Sequence, residues 1–211
     1  MRTIKKRNEP DSLTHHRLAA HADYDNYADK DTLRQSLVSE QRGLCCYCLS
    51  RIRAAAGEMK IAHWHSRDLH PDEQLVYVNL LGACMGNEGQ SFGQQHCDSR
   101  QGNRDISRNP ANPKHQVEKF IRFEGDGRIT SNDQVFDNEL NEILNLNLPF
   151  LKNNRKAALD AFKATLVKRG ELQRTTLERW LHEWNGEAHA GELKPFCQVI
   201  VYWLHKRLAH T

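Results

Sequence analysis

Gln41-Arg42-Gly43-Leu44-Cys45-Cys46-Tyr47-Cys48 is the stretch whose reading fixes the rest. It contains Cys45-x-x-Cys48, and two residues between thiolates make a turn tight enough for both sulfurs to reach one tetrahedral ion. A second pair, Cys84 and Cys97, is separated by twelve residues that include the glycine-rich run 86–93, which lets the chain loop out and return. Cys45, Cys46, Cys48, Cys84 and Cys97 all fall within residues 45–97, and in a reducing compartment such clustering reads as metal ligation rather than disulfides. Cys45, Cys48, Cys84 and Cys97 are the expected Zn²⁺ ligands. Four thiolates leave no open position, so the ion is expected to staple the fold rather than to catalyse. Cys46 lies too close to Cys48 to share the knuckle and reads as buried packing. His96 competes with Cys97 for the fourth position, and Cys197 reads as a core thiol. The plainer alternative is that all six are ordinary buried cysteines.

The chain has 211 residues, 38% hydrophobic and 27% charged, which suits a globular protein with a sizeable core. Its net charge of +3 and pI near 8.5 are compatible with nucleic-acid binding without arguing for it. The longest apolar run, Val199–Leu204, is far too short to span a bilayer, so no membrane partner is expected. The basic start, Met1 to Arg7, is not followed by an apolar stretch, and a cytoplasmic location is the expectation.

Four segments follow from the patterning. Residues 1–43 read as an irregular arm to about residue 28 and then a helix over Asp31–Gln41, with Asp31 as N-cap and Leu33, Leu37 and Val38 on one face. Residues 44–104 read as a compact metal module, with short strands at Ile61–His65 and Leu75–Val78 and a helix opening at Cys97–Asn103. Residues 105–137 hold a linker and a β-hairpin around Gly125-Asp126-Gly127. Residues 138–211 are helical. One helix runs from Pro149 to Arg169 with Gly170 as its stop. A second opens on a Thr175/Glu178 capping box, presents Leu177, Trp180, Leu181 and Trp184, and stops at Gly186. A third carries Phe196, Ile200, Trp203, Leu204 and Leu208 as a stripe that reads as bundle core.

Between the cysteine pairs stands Lys60-Ile61-Ala62-His63-Trp64-His65-Ser66, then Tyr77-Val78-Asn79-Leu80-Leu81, and the second pair closes with His96-Cys97-Asp98-Ser99-Arg100. This order resembles the HNH, or ββα-metal, nuclease motif. Together with Gln41–Cys48, Ile143–Asn147 and Asn154-Arg155, most of the chain is similar to the nuclease subunit of Septu-type anti-phage defence systems, which also accompanies some retrons. The resemblance implies an α+β fold: a zinc-stapled ββα-metal module with a mostly helical C-terminal extension.

The resemblance also implies roles. His63 is the expected general base, because a neutral imidazole accepts a proton from water. Asn79 is expected to hold the loop and orient that base. Asp98 is expected to bind a catalytic Mg²⁺ or another divalent cation. His65, two residues from His63, is expected on the same strand face, as a phosphate contact, a metal ligand or a surface histidine. Arg51, Arg53, Lys60, Arg67, Arg100 and Arg104 are candidates to meet phosphates. The motif carries Asp or Glu before the catalytic histidine, where this chain has Ala62, which offers no oxygen to a metal. An introduced Glu→Ala change and a natural loss both account for it; the intact remainder of the motif favours the first. The family counterpart works with an ABC-type ATPase, and its target is nucleic acid, DNA being favoured over RNA such as tRNA. The competing reading is a non-catalytic zinc-binding adaptor of a defence ATPase.

Overall fold

The structure, a computed structural model, describes residues 1–167 and 173–210. It is an α+β fold. Among the described residues the order is α1 (Asp11–Arg17), α2 (Lys30–Glu40), β1 (Lys60–His63), β2 (Leu80–Ala83), α3 (Cys97–Gln101), α4 (Val117–Phe120), β3 (Ile121–Phe123), β4 (Ile129–Ser131), α5 (Gln134–Asn138), α6 (Pro149–Val167), α7 (Arg174–Trp184) and α8 (Cys197–Leu208). A π-helical turn, Glu139–Ile143, continues α5. The strands form two separate antiparallel pairs, β1 with β2 and β3 with β4.

Several expected elements shift for local physical reasons. The arm before residue 28 is not wholly irregular, since α1 forms behind Pro10 and buries Leu13. The cap of α2 is Asp29 rather than Asp31: the Asp29 carboxylate accepts from the Thr32 N–H, while Asp31 sits inside the helix and pairs with Arg34. The stretch Leu75–Val78 is not a strand. Tyr77–Asn79 makes a single 3₁₀ turn, and the strand that pairs with β1 begins at Leu80. There is no Thr175/Glu178 capping box, because α7 already starts at Arg174, whose guanidinium pairs with Glu178. Arg169 and Gly170, the expected end of α6, lie outside the described residues.

One large buried cluster draws on Met1 and Ile4, the first cysteines, Ala62, Leu81, Cys97, and residues from Ile106 to Leu151, so the expected segments 1–43, 44–104 and 105–137 share a core. A second cluster belongs to the helical tail, where Leu159, Phe162 and Leu166 of α6 meet Leu177 and Trp180 of α7 and Ile200 and Leu204 of α8. This is the stripe that the sequence periodicity placed inward. A third, formed by Leu13, Tyr27, Leu33, Leu37, Tyr77 and Leu80, packs the N-terminal helices against the end of the β1–β2 pair.

Arg155 joins the hairpin to the tail. It is buried, donates from Nε to the Gly127 carbonyl at 2.6 Å and from Nη2 to the Leu146 carbonyl at 2.7 Å, and burial brings its guanidinium down to about 10. Gly127 has φ +84°, and a Cβ there would lie 2.1 Å from the Lys152 carbonyl oxygen. Only glycine allows both the turn and this close approach of α6. Gly127→Ala is therefore expected to destabilise the protein by about 1–3 kcal/mol, read as a lower midpoint in urea unfolding with an unchanged slope.

Candidate metal centre and histidine loop

Cys45 and Cys48 lie on one tight turn, in which Cys45 N–H donates to the Ser50 carbonyl and Leu49, at φ +67°, donates back to the Cys45 carbonyl. Cys84 follows β2 directly, and Cys97 opens α3. Sulfurs 45 and 97 are 3.9 Å apart and sulfurs 48 and 84 are 3.7 Å apart; all four lie within 4.8 Å of one another. Four sulfurs at about 2.3 Å from one tetrahedral ion would lie about 3.8 Å apart. The cysteines are free and too far apart for disulfides, so the arrangement fits a structural metal such as zinc.

The surroundings suit thiolates. The Cys48 sulfur lies 3.1 Å from the Ser50 hydroxyl, and His96 Nδ1 lies 3.2 Å from the Cys97 sulfur. His96 is thus a neighbour that can donate to a ligand, while Cys97 takes the fourth place. Against the opposing effect of Cys45, hydrogen bonds from Cys84 and Cys97 draw the Cys48 thiol down to about 6. Cys84 is pushed up, chiefly by Cys45, and burial pushes Cys97 up. Four sulfurs this close, three of them buried, cannot all be ionised without a cation among them. Cys46 is buried packing whose N–H donates to the Gly82 carbonyl, and Cys197 is a core thiol beside Leu44, Leu49 and Leu193.

Two features close the distance between the pairs. Gln41 is buried and clamps β2 to the end of α2: its Nε2 donates to the Leu44 and Gly82 carbonyls, both at 2.7 Å, and its Oε1 accepts from Gly82 N–H at 2.6 Å. Gly86, at φ +58°, sits so close to the His96 carbonyl that a Cβ would come within 2.2 Å of it. That contact returns the glycine-rich loop to α3.

The β1–β2 pair runs antiparallel with Ala62 opposite Leu81 and His63 opposite Leu80, and α3 packs on β1. His63 is half-buried at the end of β1. Its Nε2 donates to the Gln74 carbonyl at 3.0 Å, and its ring meets the Tyr24 ring edge-on at 4.6 Å. A carbonyl can only accept, so this bond puts the proton on Nε2 and leaves the lone pair on Nδ1. Burial lowers the imidazole to about 4, so it is neutral at pH 7.

Asn79 is buried and ties both ends of the loop 65–79 together. Its Oδ1 accepts from His65 N–H at 2.8 Å, and its Nδ2 donates to the His65 and Glu73 carbonyls, each at 3.1 Å. It therefore positions the segment that presents the Gln74 carbonyl to His63.

His65 does not share a strand face with His63. β1 stops at His63 and the chain bends, so the period of two no longer applies, and His65 stacks on its own neighbour Trp64 at 3.8 Å. Its other side stacks on His70 at 4.3 Å, and its Nδ1 lies 2.8 Å from Glu73 Oε2. His70 Nε2 in turn lies 2.8 Å from Asp105 Oδ2. The sequence reading did not single out His70, Glu73 or Asp105. The spacing 65, 70, 73 is legible only with hindsight, because the loop's path brings them together.

Asp98 pairs with Lys60 Nζ at 3.2 Å, and Lys60 projects from the side of β1 opposite to His63. Ala62 shares the Lys60 side and is wholly buried. One carboxylate paired with an ammonium, with alanine at position 62, does not by itself make a Mg²⁺ site, and here Asp98 is engaged by Lys60. Burial also raises the Asp98 carboxyl, against the opposing effect of Lys60.

The basic residues named as phosphate contacts are engaged internally. Lys60 binds Asp98 and Glu88; Arg51 binds the Gly43 and Leu193 carbonyls; Arg53 pairs with Glu58; Arg67 pairs with Asp25. Arg100 donates to the Phe92 carbonyl and covers its ring, and Arg104 donates to the Gln101 and Glu142 carbonyls. Among the described residues no helix is long and apolar enough to cross a membrane.

Comparison with known proteins finds no protein-family model that matches the chain and no curated protein sequence that matches it.

Two outcomes test this geometry. Cys48→Ser is expected to abolish the bound ion, read as metal per chain by elemental analysis, and to lower the melting temperature sharply, since such sites contribute on the order of 10–16 kcal/mol of apparent binding energy. Asn79→Ala leaves the His65 N–H and the His65 carbonyl without partners, at a cost of about 1–3 kcal/mol for each one that stays buried, while the Glu73 carbonyl keeps the Val76 N–H. Hydrogen exchange should therefore quicken in residues 65–79 before the rest of the chain.

Proposed function

We infer that the chain is an HNH-type endonuclease subunit, which resembles those of anti-phage defence complexes, and that as written it lacks the catalytic metal ligand. The observation that carries this reading is the setting of His63. A neutral imidazole at the end of a strand has one nitrogen anchored to a loop carbonyl and the other left with its lone pair, and a buried asparagine clamps the loop. A base that removes a proton from water needs that state and a fixed tautomer. The four-cysteine cluster supports the same reading, because it holds the β1–β2 pair and α3 in one unit without supplying an open metal position.

In this reading His63 Nδ1 accepts the proton of the attacking water and Asn79 keeps the loop in place. Zn²⁺, held by Cys45, Cys48, Cys84 and Cys97, staples the unit. Mg²⁺ would supply charge stabilisation at the scissile phosphate. Here the residues do not fit it, since Ala62 gives no oxygen and Asp98 is neutralised by Lys60. A carboxylate at position 62 would be buried on the Lys60 side and would need a cation beside it. The target is nucleic acid, DNA before RNA such as tRNA, and the partner is an ABC-type ATPase contacted through the helical tail or N-terminal arm. The location is cytoplasmic.

The Lys60–Asp98 pair favours a second reading, a non-catalytic zinc-binding adaptor, because an ammonium already neutralises the carboxylate that a catalytic cation would need. Ala62→Glu separates the two. A nuclease gains Mg²⁺-dependent cleavage of purified DNA or RNA by at least about a hundredfold, as expected for restored charge stabilisation, and His63→Ala in that background removes the gain. An adaptor shows no cleavage in either variant, with or without the ATPase, while its zinc content is unchanged.

A further inference from the structure

We propose that His65, His70 and Glu73 form a second metal site, open to solvent and selective for a divalent first-row transition metal, on the loop that anchors His63. The inference goes beyond the nuclease reading and stands whether or not the chain cleaves nucleic acid.

The ligand atoms of these three residues lie within 4.8 Å of one another. His65 Nδ1 and Glu73 Oε2 are 2.8 Å apart. Nitrogen and oxygen ligands at about 2.0–2.2 Å from one ion lie roughly 3.0–3.4 Å from each other. His65 and Glu73 thus stand near ligand spacing already, and one His70 ring nitrogen is within about 1.5 Å of that spacing. It closes that distance by tipping out of its stack on His65, whose rings are 4.3 Å apart and inclined by 22°. On binding, the proton that His65 Nδ1 now gives to Glu73 moves to Nε2, and the ion takes its place.

Asp105 supplies the second, independent observation. Its Oδ2 accepts from His70 Nε2 at 2.8 Å, and its Oδ1 lies 3.4 Å from Ser66 N. A carboxylate behind one ring nitrogen fixes the tautomer and leaves the other nitrogen, Nδ1, as the donor; this is the usual outer partner of a metal-bound imidazole. The loop is otherwise well held, by His70 N–H on the Ser66 carbonyl and by Asn79 on His65 and Glu73. All three ligand side chains are half-exposed, so an ion can enter.

Two imidazoles and a carboxylate select Zn²⁺, Co²⁺, Ni²⁺ or similar ions over Mg²⁺, and three protein ligands leave positions for water or a ligand oxygen. The site differs from the cysteine cluster in donors and openness. It is also separate from Asp98, which is held by Lys60. Gln74, whose carbonyl orients His63, follows Glu73 directly, so occupancy of the site would stiffen the support of that imidazole.

The test uses full-length protein whose cysteine site is filled with Zn²⁺, titrated with Co²⁺. The expected result is one further equivalent of Co²⁺ per chain. Its absorption should be that of nitrogen and oxygen ligands, without thiolate-to-cobalt charge transfer, and excess Mg²⁺ should not displace it. His70→Ala and Glu73→Gln should abolish this equivalent, and Asp105→Asn should weaken it about ten- to a hundredfold. His182→Ala, which breaks an exposed His–Glu pair of the same 2.8 Å geometry but no third ligand, should leave it unchanged. Should a variant fail to fold, the wild type decides alone: Zn²⁺ must shift the ring resonances of His65 and His70 and leave those of His182 in place. No second equivalent, thiolate bands, or equal binding by folded Glu73→Gln overturns the site.

Discussion

Four sulfurs within 4.8 Å of one another draw together the three parts of the chain that supply them. The knuckle at 45–48, the end of β2 and the start of α3 come from distant stretches of sequence. Ionised thiols so close would repel one another, so their spacing fits a cation held between them. The Gln41 clamp and the Gly86–His96 approach then close the gaps with hydrogen bonds and bare backbone contact. The cluster packs with the same core as Ala62 and Phe136, so a metal held there and the apolar packing would support one another.

From this anchor the chain extends in two directions with different physics. The helical tail is an ordinary amphipathic assembly, in which Phe162 meets Trp180, Trp184 and Trp203 in edge-on contacts. The loop 65–79 is held by polar contacts instead: the Asn79 side chain, the His65–Glu73 and His70–Asp105 pairs, and a stack of three rings. Polar loops of this kind are where chemistry is usually placed, since each group keeps a defined direction without being sealed in the core.

The charges around β1 argue about function in both directions. His63 is neutral and oriented, as a proton acceptor must be, yet Asp98 spends its charge on Lys60. The two sides of a four-residue strand thus hold separate arrangements. A carboxylate at position 62 would change the Lys60 side without touching the other, which is why that one position carries so much of the distinction between an enzyme and an adaptor.

The sequence by itself singled out the Cys45-x-x-Cys48 pair, the β3–β4 hairpin and the inward stripe of the tail. Each follows from local spacing: two residues between thiolates, alternation around a Gly-Asp-Gly turn, and a period of three to four. Pattern alone could not show that β1 ends at His63 and that β2 begins at Leu80, because both depend on register across the pair. Nor could it show Lys60 paired with Asp98, or His65, His70 and Glu73 converging with Asp105 behind them. Those contacts join residues whose separation in sequence carries no period, and only the closed path of the loop, fixed by Asn79, brings them within bonding distance.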